Sequence, residues 1–438
     1  MASVYPRLPH FVKNGFLSVI AALFIHGIML LSISGGFLNP LFDDATHRPG
    51  QGVDFFAVYQ AGQNIFDGVS IYSKQPLHQV VPFYTPYRYH PLVALTAGIA
   101  ARGVSPYAAY GIWIILLEFV LLANIIITRK LFTDGGDANR ATLMWLLFTP
   151  FYLELYMGQF SFLMGSFVFW AIVAWMKQRN ATGDWLWITS LVIKSNSVLL
   201  APVLLQERKW NTVLTGASIA LALAAPYFVL VPGSYHEFAR NYTDPPTVQT
   251  LFGNQGATAL LGISMLRFSG LWTDYTQEFV TRVDAMNSIL TVPMIIWSFA
   301  VVVMTFVFTI KARNSPSTER FLLWILAYFL FYKHVWEHQY VMIIPVFVLL
   351  YWRIKHGNVP FNLKLFWALF AAIALPTIFV LVDRSPVLFD PEISWSLLQS
   401  LAVHAPKPLA VLILYAALVR SMFRQTTVHH LPFISSPT

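Results

Sequence analysis

The sequence contains no cysteine, which removes disulfides, thiol nucleophiles, thiolate metal sites and cysteine-held iron–sulfur clusters at once. Charge is almost as scarce. Asp, Glu, Lys and Arg make up 11% of 438 residues, against about a quarter in soluble domains. With 57% hydrophobic residues and so little charge, the chain reads as an all-α polytopic membrane protein. The formal charge of +8 then calls for no nucleic-acid partner, because Lys and Arg collect at the cytoplasmic ends of spans. No convincing internal repeat is visible of the kind that builds a transporter around a mid-membrane site.

What the chain has instead is a series of long apolar runs. Runs of about 17–25 residues suffice to span a bilayer, and they place spans near 12–34, 106–128, 141–156, 160–177, 212–232, 288–310, 319–334, 338–353, 362–382 and 400–420. The basic start, Met1 to Lys13, precedes an apolar run with no small-residue cleavage site, so the first helix is expected to be retained. The 185–205 run is broken by Lys194-Ser195-Asn196-Ser197 and flanked by basic residues on both sides, which predicts two short helices that dip in and return. Pro91 opens a run of about 12 residues, too short to span and expected to be interfacial. The expectation is a single membrane domain over 1–438, with about ten full spans and 10–12 membrane helices counting the hairpin and interfacial pieces.

Orientation follows from the basic residues. With the N-terminus inside, Arg129, Lys130, Arg140, Lys177, Arg179, Arg208, Lys209, Lys311, Arg353, Lys355 and Arg424 all fall on cytoplasmic turns, as the bias of short cytoplasmic loops requires. Both termini are then cytoplasmic. The long polar segments, 35–89 and 233–286, share the extracytoplasmic face, where no nucleotide pool is available.

The candidate chemistry lies on that face. Asp54 is followed by Phe55 and Phe56, with Tyr59 close behind; aromatics that exclude water raise a carboxylate's affinity for protons, the setting of a general base. A helix cap or a solvated loop acid is the competing reading. Asp43, Asp44 and Asp67 share the loop, and Asp43-Asp44 offers two metal-ligating carboxylates without a complete ligand set. In Tyr87-Arg88-Tyr89-His90-Pro91-Leu92, Arg88 and His90 stand at the mouth of the short helix, where a guanidinium can hold phosphate or snorkel to headgroups. Gln159 follows Gly158 in an outer turn just after Glu154, and Asn254-Gln255 lies in the late outer loop. Their amides suit sugar hydroxyls or plain backbone. Lys333-His334-Val335-Trp336-Glu337-His338-Gln339-Tyr340 is the densest polar cluster at a span end. Its two histidines, four apart, share a helix face, yet no third ligand is near and no metal is expected. Lys333 and His338 are the stronger phosphate candidates. Lys194 is expected to snorkel to the inner interface or to pair with a polar group, a structural role.

Taken in order, these motifs resemble glycosyltransferase family 87, polytopic mannosyltransferases of GT-C architecture that use polyprenyl-phosphate sugars. The resemblance rests on Asp54-Phe55, Tyr59, Ala61-Gly62, Ile71-Tyr72, Tyr89-His90-Pro91-Leu92, Gly158-Gln159, Lys194, Asn254-Gln255 and Trp336-x-His338-x-Tyr340, and the last 90 or so residues add hydropathy alone. It implies a GT-C fold, Asp54 as general base, and His338 at the donor phosphate. His90 stands where the family's Tyr-x-Pro-Pro has proline, and Gly256 where a serine is common. The resulting expectation is inverting transfer of a hexose, mannose at family level, from polyprenyl phosphate to a lipid or glycan acceptor. The setting would be the extracytoplasmic face of a bacterial inner or plasma membrane, with membrane lipids as surroundings and no cofactor beyond the lipid-linked donor. Two other classes stand open: a lipid or polysaccharide transporter or flippase, and a ligase or polymerase of lipid-linked glycans.

Overall fold

The computed structural model describes residues 15–37, 50–243, 253–268, 277–357, 359–377 and 396–428. The described residues are helical almost throughout, with one isolated bridge between Asn254 and Trp336. Five helices are long and apolar enough to cross a membrane: Phe16–Gly35, Pro106–Arg129, Trp210–Leu230, Leu290–Lys311 and Pro406–Arg424. Shorter apolar helices include Pro91–Ala101, Ser161–Met176, Ser195–Gln206, Ala257–Phe268 and Leu363–Ala374.

We number the helices that position the site as α1 (Phe16–Gly35), α2 (Val53–Phe66), α3 (Pro91–Ala101), α4 (Pro106–Arg129), α5 (Gly135–Leu146), α6 (Thr149–Met157), α7 (Ser161–Met176), α8 (Asn180–Ile193) and α9 (Ser195–Gln206). These are followed by α10 (Trp210–Leu230), α11 (Ser234–Thr243), α12 (Ala257–Phe268), α13 (Gln277–Lys311), α14 (Ser317–Phe331), α15 (Ile344–Lys355), α16 (Leu363–Ala374), α17 (Leu397–His404) and α18 (Pro406–Val428). Several apolar runs that the sequence presents as continuous are cut where proline removes an N–H donor. The 141–156 run divides into α5 and α6 with Pro150 in the first turn of α6. The 338–353 run opens as a 3₁₀ turn, Glu337–Ile343, before Pro345 starts α15. The 400–420 run breaks at Ala405, with Pro406 opening α18.

Burial sorts the helices into two layers. α7, α14 and α15 are buried along most of their length. α1, α4, α10 and α13 turn large apolar side chains outward, among them Phe24, Phe119, Leu221, Val229 and Phe299. Apolar side chains exposed in such number have no place against water but suit hydrocarbon.

The expected hairpin is present. α8 and α9 meet at Lys194, whose backbone is extended (φ −152°, ψ 119°). Their far ends return to one level, because Lys209 Nζ reaches Asp184 Oδ1 at 2.8 Å and Asn180 Oδ1 at 3.2 Å. That level belongs to an ionic lattice binding one end of the bundle: Arg353 to Glu319 at 2.8 Å, Arg140 and Lys355 to Asp137 at 2.8 and 3.1 Å, and Arg320 to Gln206 and Glu207. The candidate site gathers at the other end.

Candidate active site

The site is built on two glycines that let backbone approach backbone. Gly52, in the left-handed region (φ 77°), starts α2 and donates its N–H to the carbonyl of Tyr156 at 2.7 Å. Gly158 (φ +69°) ends α6, and a Cβ there would lie 2.5 Å from Phe55 Cβ. Only glycine serves in such a contact. The first turn of α2, which carries Asp54, is thereby pressed onto the turn Gly158–Ser161.

Asp54 is half-buried. The aromatics beside it in sequence spend their surfaces elsewhere. Phe55 packs on Tyr110 and Trp113, Phe56 on Phe83, Tyr107 and Tyr110, and Tyr59 hydrogen-bonds Val104. What the carboxylate meets is charge: Asp54, Glu154 and Lys194 interact electrostatically with one another. Glu154 is fully buried; its Oε1 accepts the Phe162 N–H at 2.6 Å and caps α7. Lys194 donates to Ser161 Oγ at 2.7 Å and lies over the Tyr89 ring, 5.8 Å from its centroid. Tyr89 in turn donates to Gln159 Oε1 at 2.8 Å. Lys194 thus pairs with a polar group, as one of the two sequence expectations had it, but at the site end of the hairpin. Glu154 and Lys194 are the residues that pattern reading undervalued. The signal was available: an ionisable residue inside an apolar run marks function by default.

A second group assembles from the late segments. Asn254 bridges to Trp336; its Nδ2 donates to the Lys333 carbonyl at 2.6 Å, and its Oδ1 accepts from Val335 N–H at 3.2 Å. Gln255 N–H donates to the Val335 carbonyl at 2.6 Å, and Tyr340 Oη donates to the Gln255 carbonyl at 2.7 Å. A Cβ on Gly256 would lie 3.1 Å from Val335, so the two segments pack closely at this glycine. Both atoms of the Gln255 side-chain amide are buried without a hydrogen-bond partner among the described residues. An unfilled buried amide is costly and calls for a ligand or water. His338 is buried in the 3₁₀ turn that opens at Glu337.

Arg88 and Lys333 both act electrostatically on His334, and Arg88 also acts on Tyr332. Burial first, then these two cations, push His334 down to about 4, so it is neutral at physiological pH. The two groups are linked through the hairpin. Asn196 Nδ2 donates to Tyr328 Oη at 3.1 Å, and Tyr328 Oη donates to Gln339 Oε1 at 3.0 Å.

His90 stands at the mouth of the short helix α3. Its Nδ1 accepts from Leu92 N–H at 3.2 Å as the cap of α3, and its Nε2 faces the Ala220 carbonyl at 2.9 Å. Those partners fix one neutral tautomer, and burial lowers its proton affinity further. Both ring nitrogens are committed to backbone. Asp67 is occupied too, accepting from Gln63 at 2.7 Å and pairing with His78 at 3.3 Å. Asp43 and Asp44 lie outside the described residues. Among the described residues no three His, Asp or Glu side chains converge as a metal site.

The family model described as glycosyltransferase family 87 matches residues 87–335, more than half of the chain. The chain belongs to glycosyltransferase family 87. As a family 87 member with five membrane-length apolar helices, it is a membrane glycosyltransferase, and transfer takes precedence over transport. The matched stretch takes in Arg88, His90, Gln159, Lys194, Asn254, Gln255 and Lys333; His338 falls just past its end, and Asp54 lies well before its start. No curated protein matches the chain.

Proposed function

We propose that this family 87 enzyme transfers a hexose, with mannose as the family-level expectation, from a polyprenyl-phosphate sugar to a lipid or glycan acceptor at the extracytoplasmic face. The convergence of Asp54, Glu154 and Lys194 around the Gly158–Ser161 turn carries this reading. Asp54 takes the proton of an acceptor hydroxyl. The freed oxygen attacks the anomeric carbon, the bond from that carbon to the phosphate oxygen breaks, and its electron pair leaves with the polyprenyl phosphate. Attack opposite the leaving group inverts the anomeric centre. Arg88, Lys333 and His338 meet the charge that develops on the phosphate, as preorganised cations and donors do in other transferases. Gln159, Asn254 and Gln255 supply amides for sugar hydroxyls, and the unfilled Gln255 side chain supports that role. His90 caps α3 two residues after Arg88 and holds the entry to that helix in place.

Purified protein in lipid nanodiscs, given radiolabelled polyprenyl-phosphate-mannose and a membrane lipid extract, should form a new labelled glycolipid. Release of free mannose alone, or label that never leaves the donor, would count against the proposal.

A further inference from the structure

Residues beyond 340 lie outside the family match, yet two of their side chains reach the site. His404, the last residue of α17, donates from Nδ1 to the Asn254 carbonyl at 2.9 Å. Lys407, in the first turn of α18, is 2% exposed. Its Nζ has three oxygen partners: Glu337 Oε1 at 3.2 Å, the Ile373 carbonyl at 2.7 Å and the Leu375 carbonyl at 2.6 Å. An ammonium has three N–H donors, so this one is fully used, and it also lies 5.7 Å from the centroid of the Tyr340 ring. The two carbonyls belong to the C-terminal end of α16, where carbonyls lack helical partners and the helix dipole favours a cation. Glu337 Oε1 also accepts the Thr377 N–H at 2.9 Å. One buried charge thus joins the end of α16 to the first residue of the turn that carries His338 and Tyr340, and Tyr340 holds the Gln255 carbonyl.

We infer that Lys407, with His404 beside it, is a positioning residue for the donor end of the site, fixing Glu337–Tyr340 against Asn254–Gln255. The inference rests on the reading of Lys333 and His338 as donor-phosphate ligands. A buried ion pair is a poor source of stability, since desolvation offsets the attraction and neutral replacements often fold as well. What it supplies is direction. Two fixed carbonyls hold the ammonium, the ammonium holds the Glu337 carboxylate, and the adjacent His338 inherits that placement.

The test uses the full chain in nanodiscs, with rates normalised to folded protein and kcat and KM measured for polyprenyl-phosphate-mannose and for the acceptor. Lys407→Met should raise the donor KM or lower kcat by about tenfold or more, because small displacements at a reacting centre are costly, and leave the acceptor KM unchanged. The same variant leaves the Glu337 charge buried and unpaired, which can itself unfold the protein, so Glu337→Gln/Lys407→Met is measured beside it. This neutral pair keeps an oxygen for the Thr377 N–H. It should regain most of the lost thermal stability while the donor KM stays raised by about fivefold or more. A double variant that folds and shows wild-type kcat and donor KM would overturn the inference. His338→Ala and Lys333→Met serve as controls. If neither changes the donor KM, the donor-site reading fails and the inference falls with it; if they raise it and the Lys407 variants do not, the inference alone falls.

Discussion

At the scale of single residues, two histidines close in sequence to cationic partners come out neutral for different reasons. His90 is neutral because its two nitrogens serve backbone groups. His334 is neutral because burial, Lys333 and Arg88 together hold it at about 4. An unfolded histidine titrates near 6.5, so between roughly 4 and 6.5 the unfolded chain binds the extra proton and the folded chain does not. Stability therefore rises with pH through that window and is lost as the pH falls through it. Thermal melting in detergent should show the midpoint dropping from pH 6.5 to 4, and His334→Gln should flatten that dependence. An unchanged slope in the variant would mean that Arg88 and Lys333 do not bear on His334 as described. Neither histidine's state was legible in the sequence: the second partner of His90 is the carbonyl of Ala220, 130 residues away.

At the scale of elements, close crossings explain motifs that otherwise look chemical. Ala61-Gly62 carries part of the family resemblance, yet its role is packing. A Cβ on Gly62 would stand 2.2 Å from the Gly98 carbonyl oxygen, so α2 and α3 cross backbone on backbone. Gly62→Ala should lower stability by about 1–3 kcal/mol or more, the usual cost of overpacking, and activity should fall with it because α2 carries Asp54. Gly111 in α4 has nothing within 4 Å of an added Cβ; there alanine should be neutral or stabilising by up to about 1 kcal/mol, its advantage over glycine in a helix. Equal melting temperatures for Gly62→Ala and wild type would refute the crossing. The hairpin was legible for a plain physical reason, since a Lys-Ser-Asn-Ser run cannot continue an apolar span and basic residues flank both of its ends. The break within 141–156 was less so, because hydropathy averages over Pro150 and joins what its missing N–H divides.

At the scale of the whole molecule, the two ends of the bundle differ in kind. One carries the ionic lattice of Arg353–Glu319, Arg140–Asp137–Lys355 and Lys209–Asp184. The other gathers Asp54, Gln159, Lys194, Asn254, Gln255 and His338. The proposed orientation sets the basic end in the cytoplasm, following the charge rule, and the site on the extracytoplasmic face. Reporter fusions after Lys177 and after Arg424 should be active only with a reporter that works in the cytoplasm, and a signal from an extracytoplasmic reporter at either position would reverse the orientation. The all-α membrane fold and the family could be read from composition, hydropathy and motif order. The meeting of Asp54 with Glu154 and Lys194 could not, because 100 and 140 residues of chain separate them and they are joined by the close approaches of Gly52 to Tyr156 and Gly158 to Phe55 and by the bond from Lys194 to Ser161.

That meeting makes Asp54 the residue on which the proposed chemistry turns. Asp54→Asn keeps the size of the side chain and its hydrogen bonding but cannot take up the acceptor's proton. Loss of a general base costs about 10²–10⁴-fold in rate, so the variant should fold, bind polyprenyl-phosphate-mannose and transfer sugar that much more slowly, while Asp67→Asn, whose partners are Gln63 and His78, stays within about threefold of wild type. Transfer by folded Asp54→Asn at a near wild-type rate would contradict the assignment.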